Sequence, residues 1–221
     1  MTRHCENETN SDMTDAYAMR NMVAAEQADF AALLQGLTSE QWEAPSLCRG
    51  WSVHDAVIHI AIHAHTTPVQ RITQLARAGF SEDRQMEPER TRSTEELIDW
   101  LASPATLAGR LDILTQLSEL VIHQQDVRRP LGIPRSIPAD RLSIVLDFGI
   151  SRSALTSTMA FSRRRSKGLR LVAPDIGWWA GSGPEVCGPG EGILMALNGR
   201  AGAVDDLTGD GAQMLADRIK P

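Results

Sequence analysis

The chain has 221 residues, 42% apolar and 23% charged, a length that fits one mid-sized domain or a domain with a small appendage and a composition far from disordered or fibrous sequences. With 22 Lys and Arg against 28 Asp and Glu the formal charge is -6, which sets the overall field against phosphate backbones and anionic lipid and makes nucleic acid and membrane surfaces poor partners. The longest apolar stretch, around Val57 to Ala64, is broken by His59 and His63 and falls far short of the ~20 residues of a membrane span.

The first residues, Met1 to Glu8, are polar and acidic where a secretory signal needs an apolar core, so residues 1–12 are expected to be a disordered leader and the protein cytoplasmic. Asp15 to Gln35 carries Met19, Met22, Val23, Phe30, Leu33 and Leu34 at helical spacing, with Gly36 to end the helix. Thr38 with Gln41, Ser52 with Asp55 and Ser93 with Glu96 each form a capping box, in which a hydroxyl and a side chain three residues later satisfy the first backbone N–H groups of a helix. The second box opens a long helix predicted to run to about Ala78 with a kink at Pro68. Leu114 to Val127 is a further helix, stopped by Pro130, Gly132 and Pro134, and another follows Pro138 from Ala139 to about Ser162. The basic, polar stretch Arg163 to Gly168 then reads as a linker, with Arg163 to Arg165 solvated.

Beyond it the pattern shortens. Leu169 to Val172, Ile176 to Trp179 and Glu185 to Cys187 read as strands, with Trp178 and Trp179 filling a sheet-helix core, followed by helices at Gly190 to Leu197 and Gly211 to Ile219. Pro189 and Gly190 at a helix start could in principle hold an anion, but such caps are common. The organisation expected is a helical unit over 1–162 and a small α+β unit over 168–221. Cys5, Cys48 and Cys187 are an odd number at scattered spacings and read as thiols outside any disulfide framework.

Histidine carries the chemical signal. His59 and His63 stand four apart on one helix face, a metal-ligand spacing, although a histidine on an apolar helix is more often a hydrogen-bonded core residue. Glu119 and His123 repeat the spacing on another apolar helix, where an unpaired carboxylate would be expensive to bury. A divalent cation held by Glu119, His123 and one histidine of the earlier helix would compensate it, and two His with one carboxylate leave a coordination position open. Asp126 and Asp55 are placed to orient an imidazole from behind.

The string Leu37 to Trp42, with Pro45 to Asp55 and on to His59, resembles the entry to the metal-bearing helix of the mycothiol-dependent maleylpyruvate isomerase family, within the DinB-like bundles. Glu119 to Gly132 is similar to that family's second metal helix, and Gly168 to Val172, Gly188 to Glu191 and Leu197 to Arg200 resemble its small carboxy-terminal domain. The resemblance implies a mainly α fold, a DinB-like up-down four-helix bundle followed by a small α+β domain. It places the metal ligands on His59, Glu119 and His123, with His63 as the extra or alternative ligand. It also implies zinc and mycothiol, the thiol of actinobacteria. Zinc accepts a thiolate readily and lowers the thiol pKa. The implied activity is attack of a metal-bound thiolate on an electrophile, as a maleylpyruvate-type cis-trans isomerase or a mycothiol S-transferase in detoxification; a non-catalytic metal or small-molecule binding protein is the other class. An anionic substrate calls for arginine. Arg200 is the first choice for a catalytic role, with Arg128 and Arg152 as weaker, cofactor-binding choices.

Overall fold

The computed structural model describes the backbone of residues 2–151 and 157–219, and side chains over 16–151 and 161–219. The chain forms two compact units, Met1–Pro134 and Arg135–Pro221.

In the first unit, α1 (Thr2–Gln35) has no Pro or Gly to interrupt it and stops at Gly36. The short α2 (Ser39–Glu43) and the central α3 (Val53–His65) begin at the Thr38 and Ser52 capping boxes. Next come α4 (Pro68–Arg77), α5 (Glu82–Met86) with a 3-10 turn at Glu87–Glu89, α6 (Thr94–Ala102) behind the Ser93 box, and α7 (Arg110–Arg128). Four of these make a bundle in which α1 and α3 each pack on α6 and α7. Its interior includes Phe30, Leu34, Ile58, Ile60, Leu97, Leu101, Leu117 and Leu120, each contributing roughly 1.5–3 kcal/mol through burial. Both α3 and α7 are buried nearly all round, yet α7 carries Gln116, Glu119, His123, Gln124, Asp126 and Arg128 inside. So many polar groups in an interior must be satisfied by one another or by a ligand.

The second unit holds α8 (Ala139–Ile150), α9 (Ser157–Ser166) and a three-stranded sheet of order β2-β1-β3. Strand β1 (Arg170–Ala173) pairs antiparallel with β2 (Trp178–Gly181), Leu171 facing Ala180, and parallel with β3 (Glu185–Cys187), Leu171 facing Val186. Then follow α10 (Gly190–Leu197), a 3-10 segment at Ala201–Asp206 and α11 (Ala212–Ile219). Helix α10 packs on α8, α9, α11 and β1 and is almost wholly buried. Gly183, at φ +125°, lets the chain pass directly against the Gly168 carbonyl where a Cβ would collide.

The fold is thus mainly α, a four-helix bundle followed by a small α+β unit, as expected. Several boundaries differ. The backbone of α1 is described from Thr2, well before the Asp15 start that the spacing predicts. Pro68 does not kink a long helix. It begins a new one, because Thr67 and Gln70 form a further capping box with proline at the first position. Arg163 to Arg165 are the last turn of α9 rather than a linker, basic residues there complementing the helix dipole. The contacts therefore divide the chain at Pro134, not between 162 and 168 where composition shifts, since α8 and α9 pack with α10. Trp178 is buried and donates its Nε1–H to Asp147 at 2.9 Å, whereas Trp179 is 64% exposed under the Arg170 guanidinium, because adjacent strand residues face opposite sides.

Candidate metal centre

Helix α3 carries His59 and His63 one turn apart, and the packed face of α7 brings Glu119 and His123 to meet them. Glu119 is only 4% exposed. Its Oε2 lies 3.1 Å from His123 Nε2 and 3.7 Å from His59 Nε2. The His59 ring is centred 4.9 Å from each of His63 and His123. One ligand atom from each of His59, His63 and Glu119 can be drawn within 4.8 Å of the others. Of the predicted ligands, His59 and His123 each lie against Glu119, while His63, the alternative, completes the group at metal-ligand spacing with His59 and Glu119.

Burial and the mutual pull of imidazole and carboxylate set the electrostatics of the group. Burial pushes the His63 imidazole down to about 3, outweighing the attraction of Glu119, so it is neutral and able to offer a lone pair. Its Nδ1 is buried without a hydrogen-bond partner. Burial would raise Glu119, but the imidazoles of His63, His123 and His59 hold it well below the usual carboxylate range. Burial would likewise lower His123, yet neighbouring Cys48, the Asp126 hydrogen bond and Glu119 hold it well above the ordinary histidine value. An orphaned imidazole nitrogen beside an ionised, buried carboxylate is a donor set that fits a divalent ion.

Behind His123 lies a second group. Asp126, fully buried, places Oδ2 2.9 Å from His123 Nδ1, the orienting role expected of it. Cys48 donates its Sγ–H to the same oxygen at 3.2 Å and lies 3.4 Å from His123 Nδ1. Cys48, His123 and Asp126 form another cluster with metal-ligand spacing. The loop is fixed there by Leu47 N–H donating to the Asp126 carbonyl at 3.0 Å. Sequence reasoning missed Cys48, because nothing local ties position 48 to 126.

Asp55 does not orient a histidine. It closes the Ser52 capping box and pairs with Arg90, whose Nε is 2.9 Å away, an arrangement that lowers its pKa against the effect of burial. Arg90 also reaches Asp83 at 3.3 Å and Glu87 at 2.5 Å. Asp83 in turn accepts the Trp51 indole N–H at 3.1 Å, and the Trp51 ring is centred 5.0 Å from that of His59. Trp51 thus walls His59 and is itself held by a chain of ion pairs.

The remaining candidates have local partners. His54 and His65 meet the backbone carbonyls of Arg92 and Trp100, which marks them as structural. Arg128 is buried, with Nε donating to Gln124 at 2.9 Å and Nη2 3.6 Å from Asp29. Arg152 lies outside the described residues. Arg200, in the second unit, donates to the Asn198 carbonyl at 2.7 Å. The Gly190 N–H at the start of α10 is taken by the Asp175 carboxylate at 3.0 Å, which accounts for that helix end without an anion. Cys48 and Cys187 are in no disulfide; the Cys5 side chain lies outside the described residues.

Residues 23–110 match the family described as the mycothiol maleylpyruvate isomerase N-terminal domain. That stretch, about two fifths of the chain, is similar to the domain the family is named for. It includes His59 and His63 and ends at the first residue of α7, before Glu119 and His123. Two solved structures have the same fold, one of the mycothiol-dependent maleylpyruvate isomerase and one of a histidine-to-alanine mutant of that enzyme. They are 15% and 14% identical to the chain, each at TM-score 0.59 over 89% of this chain and 93% of theirs. The likeness extends beyond the family segment into both units. No curated sequence aligns with the chain closely enough to count as a relative. Among the described residues no helix is long and apolar enough to cross a membrane.

Proposed function

We propose that the chain is a metal- and mycothiol-dependent cis-trans isomerase acting on a maleylpyruvate-type dicarboxylate. The observation that supports this reading is the grouping of His59, His63 and Glu119 at metal-ligand spacing, with His123 against Glu119 and the buried His63 Nδ1 without a hydrogen-bond partner, in a bundle whose first part is similar to the isomerase family's domain. His59, Glu119 and His123 would hold the ion, zinc by the chemistry of the donor set, with His63 as a fourth or replacing ligand. When bound, zinc and mycothiol together supply a thiol drawn toward its thiolate at neutral pH, the nucleophile needed to turn a cis double bond into a freely rotating single bond.

The chain's own residues make such a site usable. Asp126 accepts from His123 Nδ1, which aims Nε2 at Glu119 and fixes the ring. The buried faces of α3 and α7 keep water from the carboxylate, which strengthens its attraction for a cation. Arg200 is assigned to the substrate carboxylate, as the bidentate partner such a group requires.

The test is metal analysis of the purified protein together with turnover of maleylpyruvate in the presence of mycothiol, followed by NMR. The expected result is about one zinc per chain, trans product with thiol regenerated, and loss of both metal and turnover in Glu119→Ala. Accumulation of a stable thioether would make the protein an S-transferase. Full zinc occupancy in Glu119→Ala would overturn the ligand assignment, and absence of turnover with zinc and mycothiol bound would overturn the enzymatic reading.

A further inference from the structure

The second unit contains a concentration of cations that the proposed reaction does not use. Arg164 and Arg165 end α9, Lys167 follows, and Arg218 comes from α11; these four line one cleft of about 290 Å³. Among the described residues no carboxylate lines it or pairs with any of the four. The α9 dipole offers on the order of half a negative charge at that end, far short of balancing four cations. In a chain of net charge -6 this is a local reversal of sign.

The cluster is also held in shape. The Arg164 and Arg165 guanidinium carbons lie 5.3 and 5.6 Å from the centre of the Phe161 ring. Arg165 Nη1 donates to the Leu197 carbonyl at 2.9 Å, and Arg218 Nη1 donates to the carbonyls of Arg165 at 2.5 Å and Lys167 at 2.8 Å. Arg165 Nε is buried without an acceptor, and burial together with the nearby charges of Arg164 and Arg200 lowers the guanidinium's proton affinity. Like charges held together in this way lack an anion to offset their repulsion.

A second cleft of about 490 Å³ shares Arg164 and Lys167 and continues along Leu169, Leu171, Ala180 and Ser182. The two together have a cationic end and a mixed apolar body. We propose that this cleft binds a small organic phosphate, its dianionic head among Arg164, Arg165, Lys167 and Arg218 and its body against Leu169, Leu171, Ala180 and Ser182. Three guanidinium forks and one ammonium suit the several oxygens and double charge of a phosphate monoester better than a single carboxylate.

Calorimetric titration of the full-length protein with phenyl phosphate, inorganic phosphate and benzoate tests this. Phenyl phosphate is expected to bind more tightly than inorganic phosphate, benzoate more weakly than either, and all with affinity falling as salt rises. Arg164 and Lys167 donate to no backbone carbonyl in the hydrogen bonds that shape the cleft, so Arg164→Gln with Lys167→Gln should keep the fold. That double variant should weaken phenyl phosphate about tenfold or more, with zinc content unchanged. Ser182→Trp should narrow the body and remove the preference for phenyl phosphate over inorganic phosphate. Undetectable phenyl phosphate binding, equal affinity for all three probes, or undiminished binding in the double variant overturns the proposal.

Discussion

Asp126→Asn exchanges one carboxylate oxygen for an amide nitrogen at a position with no exposure to solvent. The negative charge 2.9 Å from His123 Nδ1 is gone, and with it the charge-assisted hydrogen bond that holds the ring. Loss of a hydrogen bond to a charged partner costs about 1.5–3 kcal/mol. Changes to the residue that orients a ligating histidine typically cost about 10–100-fold in metal affinity, or roughly 1.4–2.7 kcal/mol. The two ranges agree, because the same carboxylate both raises the basicity of His123 and fixes its orientation. Competition against a fluorescent zinc chelator at constant pH would read the affinity, with circular dichroism to establish that the helices persist. A zinc dissociation constant within about threefold of the parent protein, with the fold intact, would refute the orienting role and the assignment of His123 as a ligand with it.

His63→Leu is expected to move stability and metal affinity in opposite directions: removing an unsatisfied buried nitrogen should stabilise the metal-free protein by about 1 kcal/mol in urea unfolding, while zinc binding weakens. Asp112 is buried, pairs with Arg71 and accepts the Ala108 N–H at 2.9 Å ahead of α7, so Asp112→Ala should cost about 3 kcal/mol. A loss below about 1 kcal/mol in denaturant titration would contradict that. The pKa of His65 is depressed by burial, against the pull of the Trp100 carbonyl, so the unfolded chain takes up a proton there before the folded one does. Its contribution is complete above the ordinary histidine value of 6.5 and is lost as pH falls below it. Melting curves between pH 7 and 5 should therefore flatten in His65→Asn relative to the parent protein.

What the sequence made legible was local. The capping boxes at Thr38, Ser52 and Ser93 start helices where the spacing predicts, because a cap and its partner lie within one turn. The Thr67 box carries the same signal, masked by a proline that a long apolar run made look like a kink. His59, Glu119 and His123 were readable because each sits at helical spacing among residues that had to be buried. Cys48 and Trp51 were not, since their places depend on a loop closing against α7 and on contacts to Asp83 and Arg90 far along the chain. The basic run at 163–165 is solvated but closes a helix, which charge alone does not reveal, and Arg218 donates to the carbonyls of Arg165 and Lys167 behind it. The strand face of Trp179 depended on register, which a two-residue aromatic pair does not define.

The Trp51 wall gives the centre two sides of unequal rigidity. On the α7 side His123 rests on a carboxylate closed off from ions in solution, and added salt does little there. On the other side, the indole beside His59 hangs on Asp83, which is 63% exposed on its side chain, and on Arg90, exposed by 34%. Ion pairs of that kind weaken as counterions crowd in. Ionic strength therefore reaches this buried group of imidazoles through a tryptophan, on the side where the wall is held by exposed ion pairs.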